Sequence, residues 1–275
     1  MGRGPVDPSQ PAVHADDLGF TRGDGCFEAT RVTTAPDGGH RIDHLAEHLD
    51  RFDRSCAGLG LPPVDRPAWL AAIETLLAGW TRPGEAMLRL LLSRGREWAP
   101  GPVTGIVTLT ELSPETLRQR HEGIDVITLP RGVGPAVFAD APWLLGGVKT
   151  ISYAVNLAAL REAARRGAHD VLFTDTTGGL LEAPTASLVW LAGGVLRTPP
   201  VSGTGILDSI TQRALFAATG RPTRQAAGTV ADLFDAEGSW LVSSGRGVAQ
   251  LLSVDGRPVP GRPELTAELT ELAGF

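Results

Sequence analysis

The feature that most restricts what this chain can fold into is a change of hydrophobic period at Asp43. Before it, Gly23-Asp24-Gly25 marks a tight turn feeding a strand over Cys26–Thr34, and Asp37-Gly38-Gly39 reads as a hairpin turn into Arg41-Ile42. After it, Leu45, Leu49, Phe52, Cys56 and Leu59 recur at helical spacing, with His, Glu, Asp and Arg between them, until Gly60 and Pro62-Pro63 end the run. Strand and helix periods side by side call for a sheet face packed on a helix stripe, which points to mixed α and β structure.

The alternation continues along the chain. A second helix is expected from Pro67, with Trp69, Ile73, Leu76, Leu77 and Trp80 on one face. Met87–Ser93, Gly105–Thr110 and Val126–Leu129 read as strands, and Pro130-Arg-Gly-Val-Gly-Pro135 as a linker. An amphipathic helix from Tyr153 to about Arg166 is closed by Gly167. The second half then turns to short strands at 170–174, 180–181, 187–191, 195–198, 223–225, 239–243 and 250–254, with a helix after the loop that starts at Pro199 and a short one near Val230. At 275 residues there is room for two lobes. The expectation is an α/β (mixed α+β) chain with a small N-terminal lobe over 1–133 and a larger C-terminal lobe over 134–275.

A net charge of −6 without any run of basic residues argues against nucleic acid as a partner. Two cysteines are too few for a disulfide framework or a four-ligand zinc site. The N-terminal Met1-Gly-Arg-Gly-Pro lacks the apolar core of a signal peptide and no apolar stretch reaches membrane-spanning length, so a cytoplasmic protein without membrane contact is expected.

Composition matters most at one residue. Lys and Arg together number 25, and all but Lys149 are arginine. A guanidinium could serve any purely electrostatic purpose, whereas only an amine can deprotonate near neutral pH and form a Schiff base. Glycines and apolar residues precede Lys149, and the chain's one tyrosine, Tyr153, follows four positions later.

Two other motifs are weaker. His44-Leu-Ala-Glu47-His48 matches a zinc-protease pattern but brings no evident third ligand, so no metal is expected. Gly203-Thr-Gly205-Ile-Leu-Asp208 begins like a dinucleotide fingerprint but has Asp where glycine is required. The same stretch leads into a helix near Ile210, whose free N–H groups, with the Ser209 and Thr211 hydroxyls, suit a phosphate monoester as well as they suit an ordinary cap. Glu182 ends an apolar strand, where a carboxylate calls for a cationic partner. A deprotonatable lysine, a phosphate-binding helix start and a lone carboxylate are the parts needed to hold pyridoxal 5′-phosphate.

With these residues in place, the chain resembles the class IV aminotransferase-like family of pyridoxal-phosphate enzymes, and within it the aminodeoxychorismate lyases. The elements that carry the resemblance are Arg22-Gly-Asp-Gly-Cys-Phe-Glu28, His48-Leu-Asp-Arg51-Phe, Arg89-Leu-Leu-Leu-Ser-Arg94-Gly, Lys149-Thr-Ile-Ser-Tyr-Ala-Val-Asn156, Glu182, Ile210-Thr211 and Ser243-Ser244-Gly-Arg-Gly-Val, in the family's order. The resemblance implies that Lys149 carries the cofactor and that Arg51, Ile210, Thr211 and Ser244 hold its phosphate. Glu182 would face the pyridine nitrogen. Ser187 stands where many members have Asn, and Ser209 where Gly is usual. Arg94 and Arg96 are candidates for substrate carboxylates, since arginine binds them in a bidentate way, with Tyr153 as a further substrate-side candidate.

The implied activity is conversion of 4-amino-4-deoxychorismate to 4-aminobenzoate and pyruvate, for folate or for an aminobenzoate-derived product. The alternatives are a transaminase of the same family, acting on D-amino acids, branched-chain amino acids or amines, and a non-catalytic relative. Family members commonly form homodimers, so a homodimer is expected.

Overall fold

The computed structural model describes residues 4–134 and 136–275; Met1, Gly2, Arg3 and Pro135, the last residue of the expected linker, lie outside the described residues. Contacts group the chain into two units, one of residues up to Leu112 together with Val148–Tyr153, the other of Ser113–Gly147 with Ala154–Phe275. The break after Leu112 precedes the expected one near 133, and the lysine stretch belongs to the first unit instead of the second. Backbone hydrogen bonds are the physical reason: Phe27 N donates to Lys149 O at 2.9 Å and Ile151 N to Gly25 O at 3.0 Å, so the stretch joins the edge of the first strand.

In the first unit, α1 (Leu18–Arg22) precedes β1 (Gly25–Thr34) and β2 (His40–Ile42), followed by α2 (Leu45–Gly58), α3 (Arg66–Ala78), β3 (Gly84–Ser93) and β4 (Thr104–Glu111). The strands form one sheet in the order β2-β1-β3-β4. β1 pairs antiparallel with β3 over its whole length, from Gly25 opposite Ser93 to Thr34 opposite Gly84. The helices bury their apolar stripes on this sheet: Cys26, Val32, Leu88, Leu90 and Leu92 pack with Leu49, Phe52, Trp69 and Ile73. Phe52 and Trp69 meet edge to face at 5.1 Å. Each such large side chain contributes about 2 kcal/mol by leaving water.

The turn before β1 explains its glycines. Gly23 closes α1 in the left-handed region (φ 70°), and a Cβ there would run into the Ser152 hydroxyl. At Gly25 a Cβ would collide with the Leu92 carbonyl. Both positions therefore need glycine for the lysine stretch and β3 to lie against the turn.

The second unit contains α4 (Pro114–Glu122), β5 (Ile124–Pro130), α5 (Ala154–Arg165), β6 (Asp170–Thr174), β7 (Ser187–Ala192), β8 (Val195–Thr198), α6 (Ile210–Ala218), β9 (Thr223–Gln225), α7 (Val230–Phe234), β10 (Gly238–Ser243), β11 (Gly247–Val254), β12 (Arg257–Pro258) and α8 (Pro263–Leu272). One large sheet runs β6-β5-β11-β10-β7-β8-β9, with β12 paired to β11. Parallel pairs (β5 with β6, β5 with β11, β8 with β9) flank an antiparallel centre. Trp190, Leu188, Leu241 and Ala249 fill one core cluster, and Val189, Trp240, Val248, Leu265 and Leu269 another. No helix among the described residues is long and apolar enough to cross a membrane.

Candidate functional site

In the first unit the candidate groups gather around Lys149. Its backbone is fixed on both sides: Lys149 O accepts from Phe27 N, and Lys149 N donates to Ser55 Oγ at 3.2 Å. The side chain is half-buried, and Nζ lies 4.4 Å from the centroid of the Phe27 ring and 5.9 Å from that of Tyr153. The two rings meet edge to face at 5.2 Å, so the amine stands in an aromatic corner. Tyr153 was legible in the sequence as a neighbour; Phe27, 122 positions away in the chain, becomes one only through the pairing of β1 with the lysine stretch.

Beside this corner Arg51 is buried on α2, and its guanidinium is gripped by Glu28 of β1: Nε donates to Oε1 at 2.6 Å and Nη2 to Oε2 at 2.9 Å. His48 Nδ1 lies 2.6 Å from the same Oε2. Burial pushes the Glu28 carboxyl up, but hydrogen bonds from His48 and Arg51, with the Arg51 charge, outweigh it and hold the group at about 2. Burial also pushes the His48 imidazole below its ordinary value, against the pull of Glu28. Glu28 is thus ionised and His48 neutral, its Nδ1–H donating to the carboxylate. Of the two histidines of the zinc-like motif, His44 is exposed, 4.0 Å from Glu47, and His48 is hydrogen-bonded to Glu28.

Cys26 and Cys56 are free, buried thiols with Sγ atoms 3.5 Å apart. The hydrogen bond to Cys56 and burial push the Cys26 thiol far up.

The two loop arginines are partly exposed and paired. Arg94 Nε donates to Asp24 Oδ2 at 2.6 Å and Nη2 to the Leu59 carbonyl at 2.7 Å. Arg96 Nε donates to Asp16 Oδ1 at 2.9 Å. Each is matched by a carboxylate of the same unit and ties the N-terminal segment to the end of β3.

In the second unit Glu182 does have the expected cation: Arg131 Nη1 is 3.8 Å from its Oε1, and its Oε2 accepts from Leu207 N at 3.0 Å. Arg131 stacks over Phe138 at 5.6 Å. Leu207 lies in the loop that leads to α6, so Glu182 also fixes the entry to that helix. Ser209 caps α6, its Oγ accepting from Gln212 N at 3.2 Å. Ile210 and Thr211 open the helix, where the first N–H groups lack intrahelical partners. The Thr211 hydroxyl lies 3.0 Å from Ser244 Oγ, which the turn after β10 brings to it. Ser187, the buried first residue of β7, sits opposite Val242 on the neighbouring strand. Asn156 Nδ2 donates to Pro184 O at 2.7 Å, tying the start of α5 to the loop after Glu182.

Donor types that suit pyridoxal phosphate occur in each unit: an amine in an aromatic corner and a buried arginine in the first, a carboxylate and a hydroxyl-lined helix start in the second.

Comparison with known proteins agrees. The sequence pattern of the family described as amino-transferase class IV matches residues 25–254. A bifunctional aminodeoxychorismate lyase / D-amino acid transaminase of Mycobacterium tuberculosis is 41% identical over 98% of this chain and 95% of its own. Among solved structures, the pyridoxal-phosphate-bound form of a hypothetical aminotransferase from Mycobacterium tuberculosis superimposes with a TM-score of 0.89 at 40% identity, over 98% of this chain and 95% of that one. A fold IV transaminase from Curtobacterium pusillum does so with a TM-score of 0.89 at 41% identity, over 98% and 93%.

Proposed function

We propose that this chain, which belongs to the class IV aminotransferase family of pyridoxal-phosphate enzymes, is a lyase that converts 4-amino-4-deoxychorismate to 4-aminobenzoate and pyruvate. The observation that carries the choice within the family is the 41% identity, over nearly the whole chain, to a relative named for that lyase activity. The same name favours a second reading, that the protein also transfers amino groups of D-amino acids.

Pyridoxal phosphate, when bound, supplies an electron sink that acidifies the C–H bond beside the substrate's nitrogen. Lys149 holds the cofactor through Nζ and, once the substrate's amine has taken its place, accepts that proton at Nζ. Phe27 and Tyr153 keep water from the amine. Arg51, the N–H groups of Ile210 and Thr211 and the Ser244 hydroxyl bind the phosphate, and Ser187 lies among the cofactor's neighbours. Glu182, charged beside Arg131, takes the pyridine nitrogen and favours its protonated form. Loss of the enolpyruvyl group yields pyruvate, and the ring becomes aromatic. Arg94 and Arg96, with Tyr153, stay the candidates for binding the substrate's carboxylates. A homodimer belongs to it; Val155 and Leu157, exposed on α5, are apolar surface of the kind a second copy covers.

The test is turnover by the purified protein. With 4-amino-4-deoxychorismate and no amino acceptor, pyruvate and 4-aminobenzoate are expected in equal amounts. Amino transfer from D-alanine to 2-oxoglutarate as the sole activity would overturn the lyase assignment.

A further inference from the structure

Three ionisable side chains meet in the interior of the first unit: Glu28 and His48 are each 1% exposed and Arg51 6%. As a device for stability this is poor, because the desolvation of buried charges cancels most of their attraction and apolar residues of the same volume serve as well. As a device for geometry it is effective. Arginine presents five N–H donors in one rigid plane. Glu28 takes two of them along the Nε–Nη2 edge, at 2.6 and 2.9 Å. A planar group gripped along one edge has the directions of its other N–H bonds fixed. Glu28 is in turn held by His48, which donates to Oε2. The carboxylate therefore rotates only at the cost of a second hydrogen bond.

We propose that Glu28, braced by His48, is a positioning residue that aims the Arg51 guanidinium at the phosphate of the bound cofactor, so that it governs affinity for the phosphate and not for the aldehyde-bearing ring. The inference rests on the reading of Arg51 as a phosphate ligand given above. It goes beyond that reading by assigning a role to two residues that touch neither cofactor nor substrate. The neighbours support it. Phe27, adjacent to Glu28, bonds the backbone of Lys149, and Ser55, one turn beyond Arg51, bonds it from the other side. The residues that aim the arginine are thus built into the same two elements, β1 and α2, that hold the amine.

The experiment compares two aldehydes on the cofactor-free protein, followed by tryptophan quenching: pyridoxal 5′-phosphate, and pyridoxal, which has the ring and aldehyde without the phosphate. Glu28→Gln keeps the shape and removes the charge. The expected result is a loss of about 10- to 100-fold in affinity for pyridoxal phosphate, the usual effect of removing a partner that orients a ligating group, with affinity for pyridoxal unchanged. Arg51→Gln is expected to lose the same preference, and adding Glu28→Gln to it to cost nothing further, since the two act as one unit. Should Glu28→Gln alone fail to fold, the double variant, which removes both charges of the pair, is compared with Arg51→Gln; a further loss specific to the phosphate ester overturns the proposal. Equal weakening of both aldehydes by Glu28→Gln, or no weakening of either, also overturns it. Wild-type protein that binds neither aldehyde would sink the cofactor reading as well. Wild type preferring the phosphate ester, with Glu28→Gln doing so to the same degree, sinks this inference alone.

Discussion

The ionised Glu28 makes the stability of the first unit depend on acid in a way that can be worked out. Its carboxyl sits at about 2 in the folded protein against 4.5 ordinarily. The gap is about 2.5 pH units, each worth about 1.4 kcal/mol, so the ionised form contributes between about 3 and 4 kcal/mol. For a carboxyl whose folded value is depressed, that contribution is complete above the unfolded value. It is lost as the pH falls toward the folded value, because in between only the unfolded chain takes up the proton. The window therefore runs from about pH 5 down to about pH 2. His48 has the same sign at higher pH: its folded value lies below 6.5, so below 6.5 the unfolded chain binds its proton first. The perturbation is Glu28→Gln, and the assay is urea unfolding by tryptophan fluorescence at a series of pH values from 7 to 3. Glutamine loses stability at every pH because Arg51 loses its carboxylate, but it cannot titrate. The wild-type advantage is expected to shrink by about 2 kcal/mol across the series, the larger part below pH 4.5. Parallel stability curves for the two proteins would show that Glu28 is not held ionised by His48 and Arg51, and would refute the reasoning.

Two further outcomes follow from the same unit. Lys149→Arg keeps the charge and the backbone bonds to Phe27 and Ser55, so it should fold normally; yet with pyridoxal phosphate it should give no visible absorption band that borohydride can lock in place, and turnover should fall by about a thousandfold or more, since a guanidinium cannot act as nucleophile or base. Cys26 and Cys56 are both fully buried and Cys26 is held as the thiol, so a thiol reagent at pH 8 should label neither in the folded protein within minutes and both in urea; rapid labelling of the native protein would contradict their burial.

Much of the fold was legible because its elements carry strong periodicity: α2, α3, α5 and the strands from β1 to β5 stand close to where the hydrophobic spacing puts them. Three helices, α1, α4 and α8, were not expected. In α4, Pro114–Glu122, Leu117 is the only large apolar residue, so there is no stripe to detect, although Ser113 as cap, Pro114 in the first turn and Gly123 at the end were start and stop signals in plain view. Leu265, Leu269 and Leu272 of α8 do form a stripe, begun by Pro263. Conversely, Leu180–Leu181 was read as a strand from its apolar character. The glycines before it bend the backbone, and only Leu180 bridges, to Thr174. At the site, Lys149 and Glu182 stood out because their residue types are unusual where they occur. Their partners Phe27 and Arg131 did not, because pairing across 122 and 51 positions is set by the fold. The carboxylates that pair with Arg94 and Arg96, 70 and 80 positions away, were hidden for the same reason.

One signal for Glu28 and its partners was present in the sequence and is intelligible once α2 is seen. The helix buries His48, Leu49, Arg51, Phe52, Ser55 and Cys56. Leu49, Phe52 and Cys56 form the apolar stripe that any core helix needs. His48, Arg51 and Ser55, at i, i+3 and i+7, form a second stripe beside it. Polar side chains repeated on the buried side of a helix would be destabilising unless each met a partner. Here each does: His48 and Arg51 meet Glu28, and Ser55 meets the backbone of Lys149. On the facing strand, Cys26 and Glu28 alternate toward the helix, where Cys26 meets Cys56. Phe27 lies between them and turns its ring to the lysine amine. The apolar stripe thus fixes where α2 lies on β1, and the polar stripe uses that fixed register to place an arginine and a lysine. A shift of α2 by one turn would preserve most of the apolar packing and lose every one of these polar contacts, so it is the site, more than the core, that makes this register unique.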